Sequence, residues 1–162
     1  MTTGLRVGQG YDVHAWEAGD HVMLGGVRIP YSRGVRAHSD GDVLLHAICD
    51  ALLGAAALGD IGMHFSDKDP QWRGADSRMF VRHIHGLLTA QGFDLVNVDA
   101  TVLADEPRLG KHRQTMREYI AADLGLPLDR VNVKATTSEG LGFIGRREGL
   151  ACHAIALLER RS

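Results

Sequence analysis

Over residues 5–15 apolar and small or polar side chains alternate. Leu5, Val7, Tyr11 and Val13 occupy one set of positions, and Gly8, Gly10, Asp12 and His14 the other. A period of two marks a strand whose successive side chains point to opposite faces. The pattern predicts a strand over 5–15 with its odd-numbered face in the core. Its even-numbered face is expected to be open, the two glycines leaving space beside Asp12 and His14. A second strand is expected over 21–29, broken by Gly25-Gly26 and followed by Pro30. Residues 42–58 are rich in Ala and Leu on most sides and read as a deeply buried helix, or as one at a subunit contact. Ser39 with Asp42 three residues on resembles a capping box, with Asp in place of Glu.

The stretch 59–74 is a long loop of Gly, Asp, Pro and aromatic residues, and loops of that length tend to be functional. Met79, Phe80, Ile84, Leu87 and Leu88 recur at helical spacing over 77–91, with Gly92 as the stop. Residues 95–104 alternate again, with Val96, Val98, Ala100 and Val102 on one face. Pro107 is placed to open a third helix that runs to Leu124 and ends at Gly125. A strand follows over 130–136 (Val131, Val133 and Ala135 apolar), then a Gly-rich turn over 140–147 and a last strand over 150–158. This order predicts an α+β, two-layer sandwich: a mixed four-stranded sheet plus a small hairpin, with helices on one face. With 162 residues and no linker or repeat, residues 1–162 read as a single domain.

Composition changes this picture little. The chain is 44% apolar and 23% charged with a net charge of -2, which gives no reason to expect nucleic acid or an anionic membrane as partner. Cys49 and Cys152 form no CxxC pair. Neither a signal-peptide pattern nor a membrane-length apolar run is present, so a reduced, cytoplasmic setting is expected.

Candidate chemistry concentrates in two places. Asp12 and His14 share a strand face, and His46 on the first helix can complete an Asp-His-His set. Three protein donors with a vacant fourth position suit a functional zinc site, with Asp42 or Asp50 accepting the second imidazole N–H of His46. Taken singly, each residue also fits a plainer role: His46 as a half-buried helix histidine, Asp12 as a turn cap. The second place is the strand end Thr136-Thr137-Ser138-Glu139, where hydroxyls and a carboxylate can meet a diphosphate and a hard cation. Behind it, Gly140, Gly142 and Gly145 with Arg146 and Arg147 allow close phosphate approach. An ordinary polar turn fits that segment equally. Asp60, Ile61, Gly62 and the run Phe65, Ser66, Asp67, Lys68, Asp69 can hold a polyol or simply form a solvated loop. His83, His85, His112 and His153 have no partner pattern.

These segments occur together in an order that resembles one family. Asp-Val-His at 12–14, Ala-His-Ser-Asp-Gly-Asp-Val at 37–43, Leu-Gly-Asp-Ile-Gly at 58–62, Gly-Ala-Asp-Ser at 74–77, Val-Asn-Val-Lys-Ala-Thr-Thr at 131–137 and Leu-Gly-Phe-Ile-Gly-Arg at 141–146 resemble the 2-C-methyl-D-erythritol 2,4-cyclodiphosphate synthases over nearly the whole chain. The resemblance implies a homotrimer with active sites between subunits. It implies cyclisation of 4-diphosphocytidyl-2-C-methyl-D-erythritol 2-phosphate with release of CMP. Asp12, His14 and His46 would hold Zn²⁺, and Glu139 would hold Mg²⁺ or Mn²⁺ against the diphosphate. His38 and Ser39 would contact the erythritol phosphate end, and Asp12, Val13 and His14 would also touch substrate. Asp60, Ile61, Gly62 and Phe65 to Asp69 would hold the polyol. Ala104 to Gly110 (Ala104, Arg108, Leu109 and Gly110 among them), with Thr136 and Thr137, would form the cytidine pocket, and Ser138, Phe143 and Arg146 would also reach substrate. His38 and Thr137 would position the transition state. Ser66 stands where the family commonly has Pro, Ser138 where Thr is frequent, and Gly110 where a bulkier residue is usual.

The chemistry implied is intramolecular phosphoryl transfer, in which bound cations and fixed geometry overcome the repulsion between two phosphates. The competing readings are a zinc-dependent phosphohydrolase and a non-catalytic diphosphate-binding module.

Overall fold

The computed structural model describes residues 4–161. In chain order the elements are β1 (Leu5–Glu17), β2 (His21–Leu24), β3 (Val27–Pro30), the two-residue β4 (Gly34–Val35), α1 (Val43–Ala55), the short α2 (Ile61–His64), α3 (Ser77–Ala90), β5 (Phe93–Leu103), α4 (Arg113–Leu124), β6 (Val131–Thr136), the one-turn α5 (Gly142–Gly145) and β7 (Gly149–Arg160). The main sheet has the order β4-β1-β7-β5-β6; β5 and β6 run parallel and the other pairs antiparallel. The sheet is mixed, as expected, but has five strands rather than the expected four, because β4 joins one edge through Trp16↔Val35 and Glu17↔Gly34. β2 and β3 form a separate hairpin around the expected Gly25-Gly26 break.

The faces of β1 are the reverse of the expectation. Leu5, Val7, Tyr11 and Val13 are exposed, and Gly8 and Gly10 are buried. A Cβ built on Gly10 would lie 1.8 Å from the carbonyl oxygen of Ala47, and one on Gly8 1.9 Å from that of Ala51. The glycines leave no open space; they admit the backbone of α1 directly onto the strand. Facing Ala47 and Ala51 complete this close contact. The same alternation runs through β7, where Leu150, Cys152, Ala154, Ala156 and Leu158 face the helices and His153 and Ile155 face out.

Eleven of the thirteen residues of α1 are buried, and its own chain does the burying. The capping box is not formed. Asp42 is itself the N-cap, and its fully buried carboxylate accepts from the N–H groups of Leu45 (3.0 Å), Gly25 (3.0 Å) and Gly26 (2.8 Å). One side chain thus starts the helix and ties it to the hairpin turn. Burial, then the neighbouring charge of Asp40, pushes the Asp42 carboxyl up to about 6 against those hydrogen bonds. β5 carries a bulge between Leu95 and Asn97, so Val96 leaves the face shared by the buried Val98, Ala100 and Val102. Pro107 does not open a helix. It follows Glu106 in a turn, and α4 starts at Arg113, ending as expected at Gly125 in the left-handed conformation (φ 62°).

Candidate metal centre and nucleotide cleft

The close seat of α1 on β1 decides the chemistry at their contact. Asp12 and His14 project from the C-terminal half of β1 on the helix side, and His46 comes down from the first turns of α1. Asp12 Oδ2 lies 3.0 Å from His14 Nε2 and 3.1 Å from His46 Nδ1, and the two nitrogens are 3.4 Å apart. Ligands about 2.0–2.1 Å from a tetrahedral Zn²⁺ are separated by ~3.3 Å. One triangular face of that tetrahedron is therefore already built by this donor set, which can hold a metal ion. Burial pushes the Asp12 carboxyl up, but hydrogen bonds and charge from His14 and His46 outweigh it and hold the group at about 2. For His46 burial favours the neutral ring, yet the Asp12 carboxylate prevails and raises its pKa.

The three donors sit in a cavity of about 410 Å³. His38, Ser39, Ile61, Gly62, Phe65 and Asp67 line it as the sequence predicts, together with Ala37, Trp72 and Phe80. Phe65, Trp72 and Phe80 form one aromatic wall, with Phe65 and Phe80 centroids 4.3 Å apart. Trp72 and Phe80 were legible only as part of an aromatic loop and a helix stripe. His38 Nε2 lies 3.2 Å from the carbonyl oxygen of Asp69, which fixes the imidazole against the loop of residues 65–69. Other predicted contacts serve the local backbone. Asp60 caps α2 through Met63 N–H (3.0 Å), Ser66 Oγ accepts from Lys68 N–H (3.2 Å), and Asp69 caps the turn at Gln71 (3.0 Å). Val13 points to the opposite face of the sheet.

The second predicted cluster forms a separate cleft of about 580 Å³ at the C-terminal ends of β5 and β6. Ala104, Arg108, Leu109, Gly110, Thr136 and Thr137 line it, with Pro107, Lys111, Arg113 and Ala135 added. Its extension is lined by Thr137, Glu139, Arg108, Tyr31 and Arg147. Glu139 is held in the left-handed region (φ 56°), and Thr137 Oγ1 accepts its N–H (3.3 Å). Phe143, Arg146 and Ser138 lie outside the lining of both clefts. Arg146 pairs with Glu148 (3.1 Å), and Ser138 Oγ donates to Leu141 O (2.7 Å). The Cys49 and Cys152 thiols are buried and pushed up, which excludes them as ready nucleophiles.

An α+β scaffold with a three-donor group that can hold a metal ion in one cavity, and a second cleft at the C-terminal ends of β5 and β6, has the make-up of a metal-dependent enzyme. The model of the YgbB family matches residues 5–159. A Thioalkalivibrio sulfidiphilus protein called 2-C-methyl-D-erythritol 2,4-cyclodiphosphate synthase is 61% identical over 155 residues, covering 96% of this chain and 97% of that one. Among solved structures, the bifunctional IspDF of Campylobacter jejuni superposes with a TM-score of 0.94 at 42% identity, over 98% of this chain and 43% of that longer one. The CDP complex of Plasmodium falciparum IspF gives 0.86 at 34% identity, with both chains fully covered. The chain belongs to the YgbB family, among the 2-C-methyl-D-erythritol 2,4-cyclodiphosphate synthases.

Proposed function

We propose that this enzyme converts 4-diphosphocytidyl-2-C-methyl-D-erythritol 2-phosphate into 2-C-methyl-D-erythritol 2,4-cyclodiphosphate and CMP. The observation that carries the reading is the convergence of Asp12, His14 and His46 at tetrahedral spacing in the cavity, in a chain 61% identical to a synthase of that name. Asp12 Oδ2, His14 Nε2 and His46 Nδ1 would hold Zn²⁺, and Glu139 would hold Mg²⁺ or Mn²⁺. When bound, the two ions supply positive charge to the phosphate oxygens and lower the barrier between polyanions. The residues do the positioning. The wall of Phe65, Trp72 and Phe80 excludes water from the polyol, and the His38 imidazole meets the 2-phosphate. Thr137 and Arg108 hold the diphosphate end, and Ala104 to Gly110 cradle the cytosine. No side chain need remove a proton, because the attacking phosphate oxygen is already ionised near neutral pH. The 2-phosphate oxygen forms a bond to the β-phosphorus, and CMP leaves with the electron pair of the broken anhydride bond.

The functional unit is a homotrimer with each site shared by two subunits. Two features support this. The outer face of the sheet carries Leu5, Val7, Tyr11, Val13 and Ile155, with Val7 70% exposed, an apolar surface that needs a partner. In addition, Thr136 is level with Val13, the neighbour of His14, across β7 and β5, three strand spacings or ~14 Å away, and the side chains of His14 and Thr136 face opposite sides of the sheet. Two halves set apart in this way on one chain suit a substrate held between neighbouring subunits. Residues 1–162 act as one domain, supported by a core cluster that runs from Trp16 in β1 to Leu158 in β7.

The test is ³¹P NMR of the protein with substrate and Mg²⁺, beside a chelator-treated sample. Coupled cyclic-diphosphate resonances plus CMP, lost on chelation, are expected. Open-chain phosphates would make the protein a phosphohydrolase, and unchanged substrate in metal-loaded protein would make it a binding module.

A further inference from the structure

Ser77 and Asp40 meet His46 from behind the cavity. Ser77 is fully buried at the start of α3. Its hydroxyl donates to Asp40 Oδ1, and its backbone N–H donates to Asp40 Oδ2 (3.0 Å). On its other side, Ser77 Oγ lies 2.8 Å from His46 Nε2. A hydroxyl has a single proton to give. With that proton committed to the carboxylate, Oγ can only accept from the imidazole. His46 Nε2 therefore carries hydrogen, so in the neutral ring that a metal ion requires, Nδ1, the atom turned towards Asp12 and His14, has the free lone pair.

Ser39 offers an alternative that fails on geometry. Its Oγ is 3.2 Å from the same nitrogen. Were Ser39 to donate to a bare Nε2, the lone pairs of Nε2 and Ser77 Oγ would face each other at 2.8 Å. The carboxylates expected from the sequence in this role are engaged elsewhere. Asp42 accepts three backbone N–H groups, and Asp50 accepts from Ile61 N–H (2.8 Å). The segment bearing Asp40 is meanwhile clipped to the one preceding Ser77, by Asp40 N–H to Ala75 O (3.1 Å) and Gly74 N–H to His38 O (2.8 Å).

We infer that Ser77, oriented by Asp40, is a positioning residue that holds His46 in the Nε2–H tautomer and aims Nδ1 at the metal. This rests on the metal reading above. The Ser-Asp-Gly-Asp and Ala-Asp-Ser segments thereby act together, fixing a ligand that neither contains.

Zn²⁺ affinity, read by competition with a chromophoric chelator, tests the relay apart from turnover. Ser77→Ala removes the acceptor and leaves the α3 cap, Asp76 Oδ1 to Arg78 N–H (2.9 Å), in place. The expected result is Zn²⁺ binding about 10- to 100-fold weaker than in the parent, the usual effect of losing a partner behind a metal ligand. A role confined to folding would lower the melting temperature of the metal-free variant and leave the affinity of folded protein unchanged. Long-range ¹H–¹⁵N NMR of zinc-loaded parent needs no variant, so it decides even if Ser77→Ala does not fold. A proton on His46 Nε2 is expected, and a proton on Nδ1 overturns the relay. Unaltered Zn²⁺ affinity in Ser77→Ala would also overturn it and leave the metal centre standing. A parent protein that takes up no Zn²⁺ would overturn centre and relay together.

Discussion

Glu139 occupies a backbone conformation that L-residues avoid, with φ at 56°, on the turn that follows β6. That conformation costs about 1–2 kcal/mol in a residue with a Cβ and almost nothing in glycine. Its carboxylate makes no compensating ion pair among the described residues, which fits a side chain placed for a ligand. Glu139→Gly should therefore raise the free energy of unfolding by about 1 kcal/mol in urea titrations while lowering turnover by about two orders of magnitude or more. Loss of both stability and activity would mean that the carboxylate holds the turn. His46 gives a second residue-scale expectation, for metal-free protein. Its folded pKa lies above 6.5 because the Asp12 carboxylate outweighs burial, so the folded state binds the proton more tightly than the unfolded chain does. The resulting stabilisation is fully present below pH 6.5 and is lost as pH rises through the higher folded value. Melting curves in chelator should show this fall, and His46→Ala should abolish it.

At the scale of elements, the alternation in β1 located the strand and its chemistry but assigned its two faces the wrong way round. Both faces are needed, one for α1 and one for a surface outside the chain, and apolar side chains mark only the second. The first is marked by Gly8 and Gly10, which look like absent packing in a sequence and are the means of close packing in the fold. The same limit hid the partner of His46. Ser77 is 31 positions away, and nothing at a fixed spacing connects the two. Asp-Val-His, by contrast, was legible because both donors lie on one strand at i and i+2, and the cleft at Thr136 and Thr137 was legible because it ends a strand. Gly10→Ala tests the role of the glycines. A methyl group 1.8 Å from Ala47 O must push α1 away and carry His46 out of reach of Asp12 and His14. The expected cost is about 3 kcal/mol of stability, with loss of Zn²⁺ uptake measured by elemental analysis. Zn²⁺ uptake equal to that of the parent would show that the helix-to-strand distance does not set the metal site.

For the whole molecule, here the proposed trimer, the question is where the two proposed halves of the site meet. Within one chain β7 and β5 stand between them, and the cavity at His46 shares no lining residue with the cleft at Thr137. An assembly that buries the apolar outer face can bring the metal half of one subunit against the nucleotide half of its neighbour. Such sharing has a consequence that no single-chain site can imitate. His46→Ala and Thr137→Ala should each be inactive as pure trimers, because every site lacks one half. In trimers assembled from an equal mixture, a site works when its metal half comes from a Thr137→Ala chain and its nucleotide half from a His46→Ala chain. Random assembly about a three-fold axis gives that pairing at about a quarter of the sites. Refolding the two variants together should restore about a quarter of parental turnover, with sedimentation velocity confirming the trimer. Mixed trimers with no recovered activity would mean that each chain carries a complete site of its own.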